Sequence, residues 1–424
     1  MDPRTFDVVT VGSPLHDPAE LRRSIQPFLD ALAGLGGREA PAGAVEGGGP
    51  VALLVTTGGT EAEVLRLRAL REAACPGEPL LLVTLPAHNS LPAALESLAR
   101  VRQEGGRGRI VHLAAPADAH SLDRLAAALS DLRVRERLHR ARVGLVGVPS
   151  DWLVASVPSA ASVREVWGPL VVPVGLEEVL DANLDEPDEE ALERAEALRD
   201  GAAALREPSE EDLRRASGVL PALSAAVARE RLDAVAVRCF DLVTRRGTSG
   251  CLALSALNDA GTVAACEGDL ASAVAMLWVK ELLGSASFMA NPSDADPEAG
   301  LLRLAHCTVP LSLVTRFELR SHFESGLGVA LAGTLPPGAV TLLRLGGPRL
   351  EELFLAEGEV VPAPRREDLC RTQVDVRLAP AAVAELLERP LGNHLVLVPG
   401  RHAARLRSYR DWAVALGRNG SDPR

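Results

Sequence analysis

The sequence predicts a mixed α/β fold that starts with a doubly wound parallel sheet and ends in a β-rich, sandwich- or barrel-like part. In the first half, short apolar runs alternate with helical stretches of 12–18 residues, a pattern typical of parallel sheets covered by helices. After residue 310, short alternating stretches separated by turns indicate antiparallel strands. With 424 residues, the chain exceeds one ordinary hydrophobic core, which predicts two or three domains.

The first domain is predicted over 1–155. Its β-branched or apolar runs predict strands at 6–11, 51–56, 80–84, 109–113 and 142–146. Apolar residues at helical spacing predict helices at 17–35, 60–74, 91–104 and 121–138, and the Gly/Ala/Pro-rich stretch 34–50 predicts a surface loop.

The second domain is predicted over 156–260, with strands at 170–174 and 232–237 and a solvated helical hairpin in the acidic stretch 185–215. The C-terminal β-rich domain, 261–424, opens with a strand at 262–266 and a helix at 269–283. Its predicted later strands are 316–321, 328–332, 340–345, 353–356, 373–378 and 394–398.

Composition limits the partners of the protein. The net charge is -12, and the basic residues are scattered, whereas nucleic-acid binding needs a basic face. The start of the chain has no basic segment followed by an apolar one, and no apolar run reaches the ~18 residues of a membrane span. The six cysteines show no CxxC pair. We therefore expect a cytoplasmic protein with reduced thiols, and no nucleic-acid or membrane partner.

The segment 266–269, CEGD, places two carboxylates where an apolar strand meets a helix. Paired carboxylates predict a site for a hard cation such as Mn²⁺ or Mg²⁺, with Glu267 and Asp269 as candidates. Because a helix N-terminus favours anions, Asp269 could instead simply cap the helix. Asp241 follows another buried strand, at the end where ligands bind in open parallel sheets.

Three histidines are further candidates for the site. His306 ends an apolar run before a Pro turn. It could be a site residue or a core histidine whose hydrogen bonds are satisfied. His322 and Glu324, two positions apart on a predicted strand, would share a face as a proton-relay pair or as an exposed polar face. His394 follows a Gly-Asn turn, where a ligand or solvent could meet it.

Four residues are candidates for substrate binding. Arg371 and Gln373 could hydrogen-bond sugar hydroxyls or form a surface cluster, and Asn393 precedes His394. Thr57 lies in a Gly-rich strand-to-helix turn, TTGGTE, that could cradle an anion or a hydroxyl-rich ligand.

Five segments together resemble the C-terminal half of L-fucose isomerase-like proteins, the L-fucose/L-arabinose isomerase group. They are CEGD (266–269), HCTVP (306–310), HFESG (322–326), CRTQ (370–373) and GNH (392–394), and the resemblance is best over 232–400. It implies two Rossmann-like domains followed by a β-barrel-like domain. It also implies a Mn²⁺-dependent homo-oligomer that interconverts aldoses and ketoses.

Carried over by residue, the resemblance implies that Asp269 and His394 are metal ligands, with Glu267 a ligand or its neighbour. Glu267 or Asp241 would complete the site, and a carboxylate would move a proton between C1 and C2 through an enediol. His306, His322 and Glu324 would open the sugar ring or orient the substrate.

Two alternatives use the same residues. One is a metal-dependent epimerase or lyase acting on a sugar, because enediolate stabilisation is common to these reactions. The other is a sugar-binding or regulatory protein without turnover. The second is favoured by Leu395, which stands where relatives often have a second histidine after the Gly-Asn.

Overall fold

The computed structural model describes residues 5–362 and 364–414. The chain forms two compact units, one from the described parts of 1–137 and 407–424 and the other from 138–406. The predicted domain boundaries near 155 and 260 remain predictions, and each unit is described separately.

The first unit is built on a five-stranded parallel sheet. Its strands are β1 (Phe6–Val11), β2 (Gly37–Glu39), β3 (Val51–Val55), β4 (Leu80–Thr84) and β5 (Gly108–His112), in the order β2-β1-β3-β4-β5. Every residue of β3 and β4 is buried, as expected for central parallel strands covered on both faces.

Helices α1 (Pro18–Gly34), α2 (Glu61–Ala74) and α3 (Ser90–Gln103) lie between these strands along the chain, and α4 (Ala119–Arg140) follows β5. The alternation of strands and helices was predicted from the sequence. The predicted loop 34–50 also contains β2 and a short 3₁₀ turn, Ala42–Glu46.

The second unit begins with a four-stranded parallel sheet in the order β7-β6-β8-β9. Its strands are β6 (Arg142–Val146), β7 (Leu170–Val174), β8 (Ala234–Val237) and β9 (Val263–Ala265). The strand at 142–146, assigned from the sequence to the first sheet, therefore belongs to the second sheet. Short apolar strands carry no information about which sheet they join, so sequence alone could not make this distinction.

Helices surround this second sheet: α5 (Ala160–Val166), α6 (Glu177–Leu180), α7 (Glu189–Gly201), α8 (Glu210–Ser217), α9 (Val219–Glu230), α10 (Phe240–Arg246), α11 (Cys251–Asp259) and α12 (Leu270–Leu283). The predicted hairpin over 185–215 corresponds to α7 and α8. It is not wholly solvated, because Ala195 and Leu213 belong to a hydrophobic core.

The remainder of the second unit is antiparallel. Six strands close into a barrel in the order β10-β11-β16-β15-β14-β17, and a two-stranded ribbon, β12-β13, lies outside that order. The elements are β10 (Phe288–Asp296), β11 (Leu301–His306), β12 (Arg316–Arg320), β13 (Ala330–Thr334), β14 (Gly338–Gly346), β15 (Glu352–Val361), β16 (Thr372–Leu378), α13 (Pro380–Glu388) and β17 (Leu395–Pro399). The last helix, α14 (Ala403–Ala413), begins in this unit, and its residues from 407 onward belong to the first unit. The mixed α/β class, with parallel sheets and an antiparallel β-rich region, is confirmed.

Helix α12 is the structural centre of the second unit. Its first ten residues, Leu270 to Val279, are all buried, and it packs against β8, β9, β14 and β17. A helix that is apolar all round needs such cover on every side. The start of α12 is thereby held next to the carboxyl end of β9. No helix within the described residues is long and apolar enough to cross a bilayer.

Candidate active site

Glu267, His306 and His394 bring three potential ligand atoms together in the second unit. These atoms all lie within 4.8 Å of one another. Oε1 of Glu267 is 3.4 Å from Nε2 of His394 and 3.7 Å from Nε2 of His306, and all three side chains are buried. One carboxylate and two imidazoles form a donor set suited to a divalent first-row transition metal, so the residues present fit a metal ion.

An unusual backbone conformation presents two of these side chains. Glu267 and His394 adopt positive φ angles of 63° and 65°, a left-handed conformation that is uncommon outside glycine and often marks functional sites. Gly268 continues the turn with φ 68°. A Cβ added there would lie 2.8 Å from the Cα of Pro149 and 2.9 Å from the carbonyl oxygen of Val148. The CEGD turn therefore needs glycine at its third position.

Asp269, predicted as a metal ligand, is not one of the three residues whose potential ligand atoms converge. Its Oδ1 accepts a hydrogen bond from the backbone N–H of Ser272 (2.8 Å), which makes it the N-cap of α12. Its Oδ2 lies 2.9 Å from Nδ1 of His394, accepts from the Ser272 hydroxyl, and pairs with Nη1 of Arg344 at 2.9 Å. Asp269 therefore caps α12 and also holds the His394 ring by the nitrogen opposite the one that faces Glu267, and its role as a metal ligand remains a prediction.

Charge pairing outweighs burial at this site. Burial by itself would raise the pKa of Glu267, but hydrogen bonds with His306 and His394 lower it below its usual range. Burial would also raise the pKa of Asp269, but the Arg344 charge and the hydrogen bond with His394 lower it to about 2. Burial would lower the pKa of His394, but hydrogen bonds to the two carboxylates raise it. Both carboxylates are therefore ionised at neutral pH.

An aromatic row leads from Glu267 to His322. The indole N–H of Trp152 donates a 2.6 Å hydrogen bond to Oε2 of Glu267. The Trp152 ring meets Phe240 edge to face at 4.8 Å, and Phe240 meets His322 in the same way at 5.2 Å. Trp152 thus fixes the carboxylate oxygen that does not face the histidines.

A small cavity that opens to solvent adjoins these groups. Glu267, His306, His322 and Glu324 line it, together with the side chains of Asn291, Phe240 and five cysteines. The predicted strand position of His322 and Glu324 is wrong, because β12 ends at Arg320 and both residues lie in the turn that follows. That turn nevertheless brings both side chains to the cavity.

Asp241 and Arg371 are not among the residues that line this cavity. Asp241 accepts a 2.9 Å hydrogen bond from Nε of Arg238. Arg371 donates from Nε and Nη2 to the carbonyl and hydroxyl oxygens of Ser321. Arg371 therefore secures the backbone just before His322.

Asn393, Gln373 and Thr57 also have intramolecular partners. Asn393 donates a 2.8 Å hydrogen bond to Oδ1 of Asn291, one of the cavity-lining residues. Gln373 exchanges hydrogen bonds with the backbone of Arg366, and lies outside the cavity lining. Thr57 belongs to the first unit, where its hydroxyl accepts from the backbone N–H of Ser13. Sugar binding by these residues remains a prediction.

Sequence reasoning did not identify Arg344 as part of the site, and it gave no role to the cavity cysteines. A signal existed for Arg344, which is a lone charge in the apolar run of β14 and is 1% exposed. The cysteines are scattered over five segments, so only the fold brings them together.

The chain is similar to proteins named sulfoquinovose isomerase. The identity is 24% with the protein from Alkalicoccus urumqiensis, over 67% of this chain and 66% of that protein. It is 24% with that of Priestia aryabhattai (66% and 64%) and 23% with that of Clostridium sp. strain MSTE9 (73% and 70%). No family model matches the chain.

The match to the Alkalicoccus and Priestia proteins thus spans about two thirds of their length. All of these relatives are named as isomerases of a sugar. The chain is therefore similar in sequence to sugar isomerases.

Proposed function

We propose that this chain is a metal-dependent aldose–ketose isomerase acting on a small sugar, with Glu267, His306 and His394 as the metal ligands. The observation that carries the proposal is the convergence of these three side chains within 4.8 Å beside a cavity. The similarity to sulfoquinovose isomerases supports the same reaction class.

The donor set favours a transition metal such as Mn²⁺ over Mg²⁺. Two of the three ligands are imidazoles, and Mg²⁺ is usually bound through carboxylates, phosphates and water. The hydrogen bond between Asp269 and Nδ1 of His394 fixes the ring so that Nε2 faces the site. Such a carboxylate partner behind a metal-ligating histidine is a recurrent feature of metal centres.

The chemistry divides between the metal and the chain. A bound divalent cation would supply a Lewis acid that polarises the sugar carbonyl and acidifies the adjacent C–H. Glu324 lines the cavity and is not one of the three ligands. We assign it the proton transfer between C1 and C2 that passes through the enediol. His322, whose Nδ1 lies 3.0 Å from the Ser325 hydroxyl, orients the substrate or assists ring opening.

The substrate is proposed at the level of class. Among the described residues that line the cavity, Glu267 and Glu324 are acidic and none is Arg or Lys. That lining suits the hydroxyls of a neutral sugar. Sulfoquinovose belongs in the same substrate panel because the relatives are named for it.

The test is ketose formation, followed by NMR, from neutral aldoses and sulfoquinovose. The protein is stripped of metal and then given Mn²⁺ or Mg²⁺. We expect one sugar to turn over with Mn²⁺, and Glu267→Gln to abolish turnover. Glu385→Gln, on the exposed face of α13, is the matched control and should match the wild type.

Product identity separates the rival reactions. A C2 epimer or an eliminated product in the same spectra would replace the isomerase with the epimerase or lyase alternative. Sugar binding without any metal-dependent product would support the regulatory alternative. Failure of the stripped protein to bind any divalent metal would overturn the proposed centre.

A further inference from the structure

Five of the six cysteines line the cavity beside the proposed metal ligands. They come from five separate segments: Cys239, Cys251, Cys266, Cys307 and Cys370. All six cysteines are free thiols, and the sixth, Cys75, lies in the first unit. The proposed isomerisation requires none of these thiols, so their convergence calls for a separate explanation.

Cys307 is the centre of this thiol group. Its side chain packs in the same small cluster as the side chains of Cys251 and Cys370. Cys251 and Cys307 are buried in one apolar cluster, against which Phe323 and Cys370 pack. Cys370 is only partly buried, whereas Cys307 is 2% exposed. A reagent from solvent therefore meets Cys370 first, with Cys307 next to it.

We propose that Cys370 and Cys307 form a reversible disulfide when the protein meets a peroxide, and that this bond weakens metal binding at the site. The thiolate of one of these two cysteines attacks one peroxide oxygen, the O–O bond breaks, and a sulfenic acid and one water form. The sulfur of the other cysteine then attacks the sulfenic sulfur and expels a second water. In total, two thiols and one hydrogen peroxide give one disulfide and two waters, and a dithiol reverses the bond.

The consequence for the site follows from the position of Cys307. In a disulfide the sulfurs lie ~2.05 Å apart, closer than two non-bonded sulfurs, so the two side chains have to approach each other. The proposed effect on the site requires that Cys307 takes part in this movement, because Cys307 is joined to His306, whose Nε2 lies 3.7 Å from Glu267. Metal–ligand distances tolerate only ~0.2 Å of error, so displacement of His306 lowers metal affinity. This consequence rests on the proposed metal centre, whereas the disulfide itself does not.

The experiment treats the full chain, stripped of metal, with hydrogen peroxide and maps disulfides by non-reducing peptide mass spectrometry. We expect a Cys307–Cys370 crosslink in the wild type and in the control Cys75→Ser, and none in Cys370→Ser. Calorimetric Mn²⁺ affinity should fall at least tenfold on oxidation and recover with dithiothreitol. Affinity in peroxide-treated Cys370→Ser should stay at the value of that variant before treatment.

Several outcomes would overturn the inference. These are a Cys251–Cys307 crosslink in place of the predicted one, oxidation of Cys370 to sulfinic acid without a crosslink, and no reaction at all. A mapped Cys307–Cys370 bond with unchanged Mn²⁺ affinity would overturn its effect on the site. If the reduced protein binds no metal, the proposed function fails, and the crosslink is still judged from the peptide map.

Discussion

The His394 imidazole is held from both sides, by Asp269 at Nδ1 and by Glu267 near Nε2. The two carboxylates therefore have separable roles. Replacing Asp269 by Asn keeps the side-chain size but removes the charge that fixes the ring. Loss of such a partner behind a ligating histidine typically costs 10–100-fold in metal affinity.

We therefore expect Asp269→Asn to weaken Mn²⁺ binding about 10–100-fold, and Glu267→Gln to weaken it further, as measured by calorimetry. The exposed Asp200→Asn is the matched control. Because Arg344 loses its buried partner in Asp269→Asn, far-UV circular dichroism should confirm that the variant is folded. Equal loss in both site variants would assign Asp269 as a ligand, as the sequence predicted.

Glu324 offers a second test with separate readouts. General acid–base groups typically contribute 10²–10⁴-fold to a rate. We expect Glu324→Gln to lower kcat at least ~100-fold while its Mn²⁺ affinity stays unchanged, because Glu324 is not in the ligand group. Turnover in D₂O should place deuterium in the product of the wild type. Unchanged kcat, or loss of metal binding, would move the proton-transfer role elsewhere.

The elements of the fold were predictable where their pattern is local. The strands and helices of the first unit follow from their apolar periodicity. The closing of six distant strands into a barrel depends on pairings such as β14 with β17, which no local pattern encodes. In the site, Glu267 and His394 could be found from the CEGD and GNH segments. The proximity of His306 to these two residues could not, because an apolar strand followed by a histidine also describes a core residue.

At the element scale, the turn from β9 into α12 depends on Gly268. An alanine there would have to adopt a left-handed φ, which destabilises the folded state by ~1–2 kcal/mol. Its Cβ would also clash with the backbone of Val148 and Pro149. We expect Gly268→Ala to lower the free energy of unfolding by about 2–4 kcal/mol in urea titrations. Gly284→Ala is the control, since Gly284 has φ 65° and open space around its Cβ position. Equal losses would show that contact with the 148–149 backbone is unimportant.

The turn that carries His322 and Glu324 is anchored by an ion pair. Glu207 accepts hydrogen bonds from Nε of Arg320 and from the backbone N–H of Ser321 (3.1 Å). Burial would raise the pKa of Glu207, but these bonds lower it to about 2. The folded-state pKa is thus below the unfolded one, so the ionised carboxylate stabilises the fold above pH ~4. That contribution disappears as the pH falls towards 2.

We expect Glu207→Gln to lower the free energy of unfolding by about 1 kcal/mol at neutral pH, a value discounted because the Glu207 side chain is 41% exposed. The difference from the wild type should shrink between pH 4 and pH 2, measured by urea unfolding at several pH values. Glu385→Gln serves as the control for an exposed glutamate. A difference that does not change over this pH range would contradict the assigned pKa shift.

At the scale of the whole molecule, the three proposed ligands join distant parts of the second unit. Glu267 follows the parallel strand β9, whereas His306 ends the barrel strand β11 and His394 precedes the barrel strand β17. A metal bound by all three would link the parallel sheet to the barrel.

The predicted homo-oligomer can be tested alongside, by light scattering on the metal-free and metal-loaded protein.

A ligand that binds only the folded state at 100 times its Kd adds about 2.7 kcal/mol to the free energy of unfolding. For a unit of this size, we expect Mn²⁺ to raise the Tm of the second unit by roughly 5–10 °C, measured by calorimetry. Mg²⁺ at the same concentration should give a smaller shift, because the donor set contains two imidazoles. Glu267→Gln should lose the Mn²⁺ shift and Glu385→Gln should keep it. A full shift in Glu267→Gln would place the stabilising ion at another site and remove the link between the sheet and the barrel.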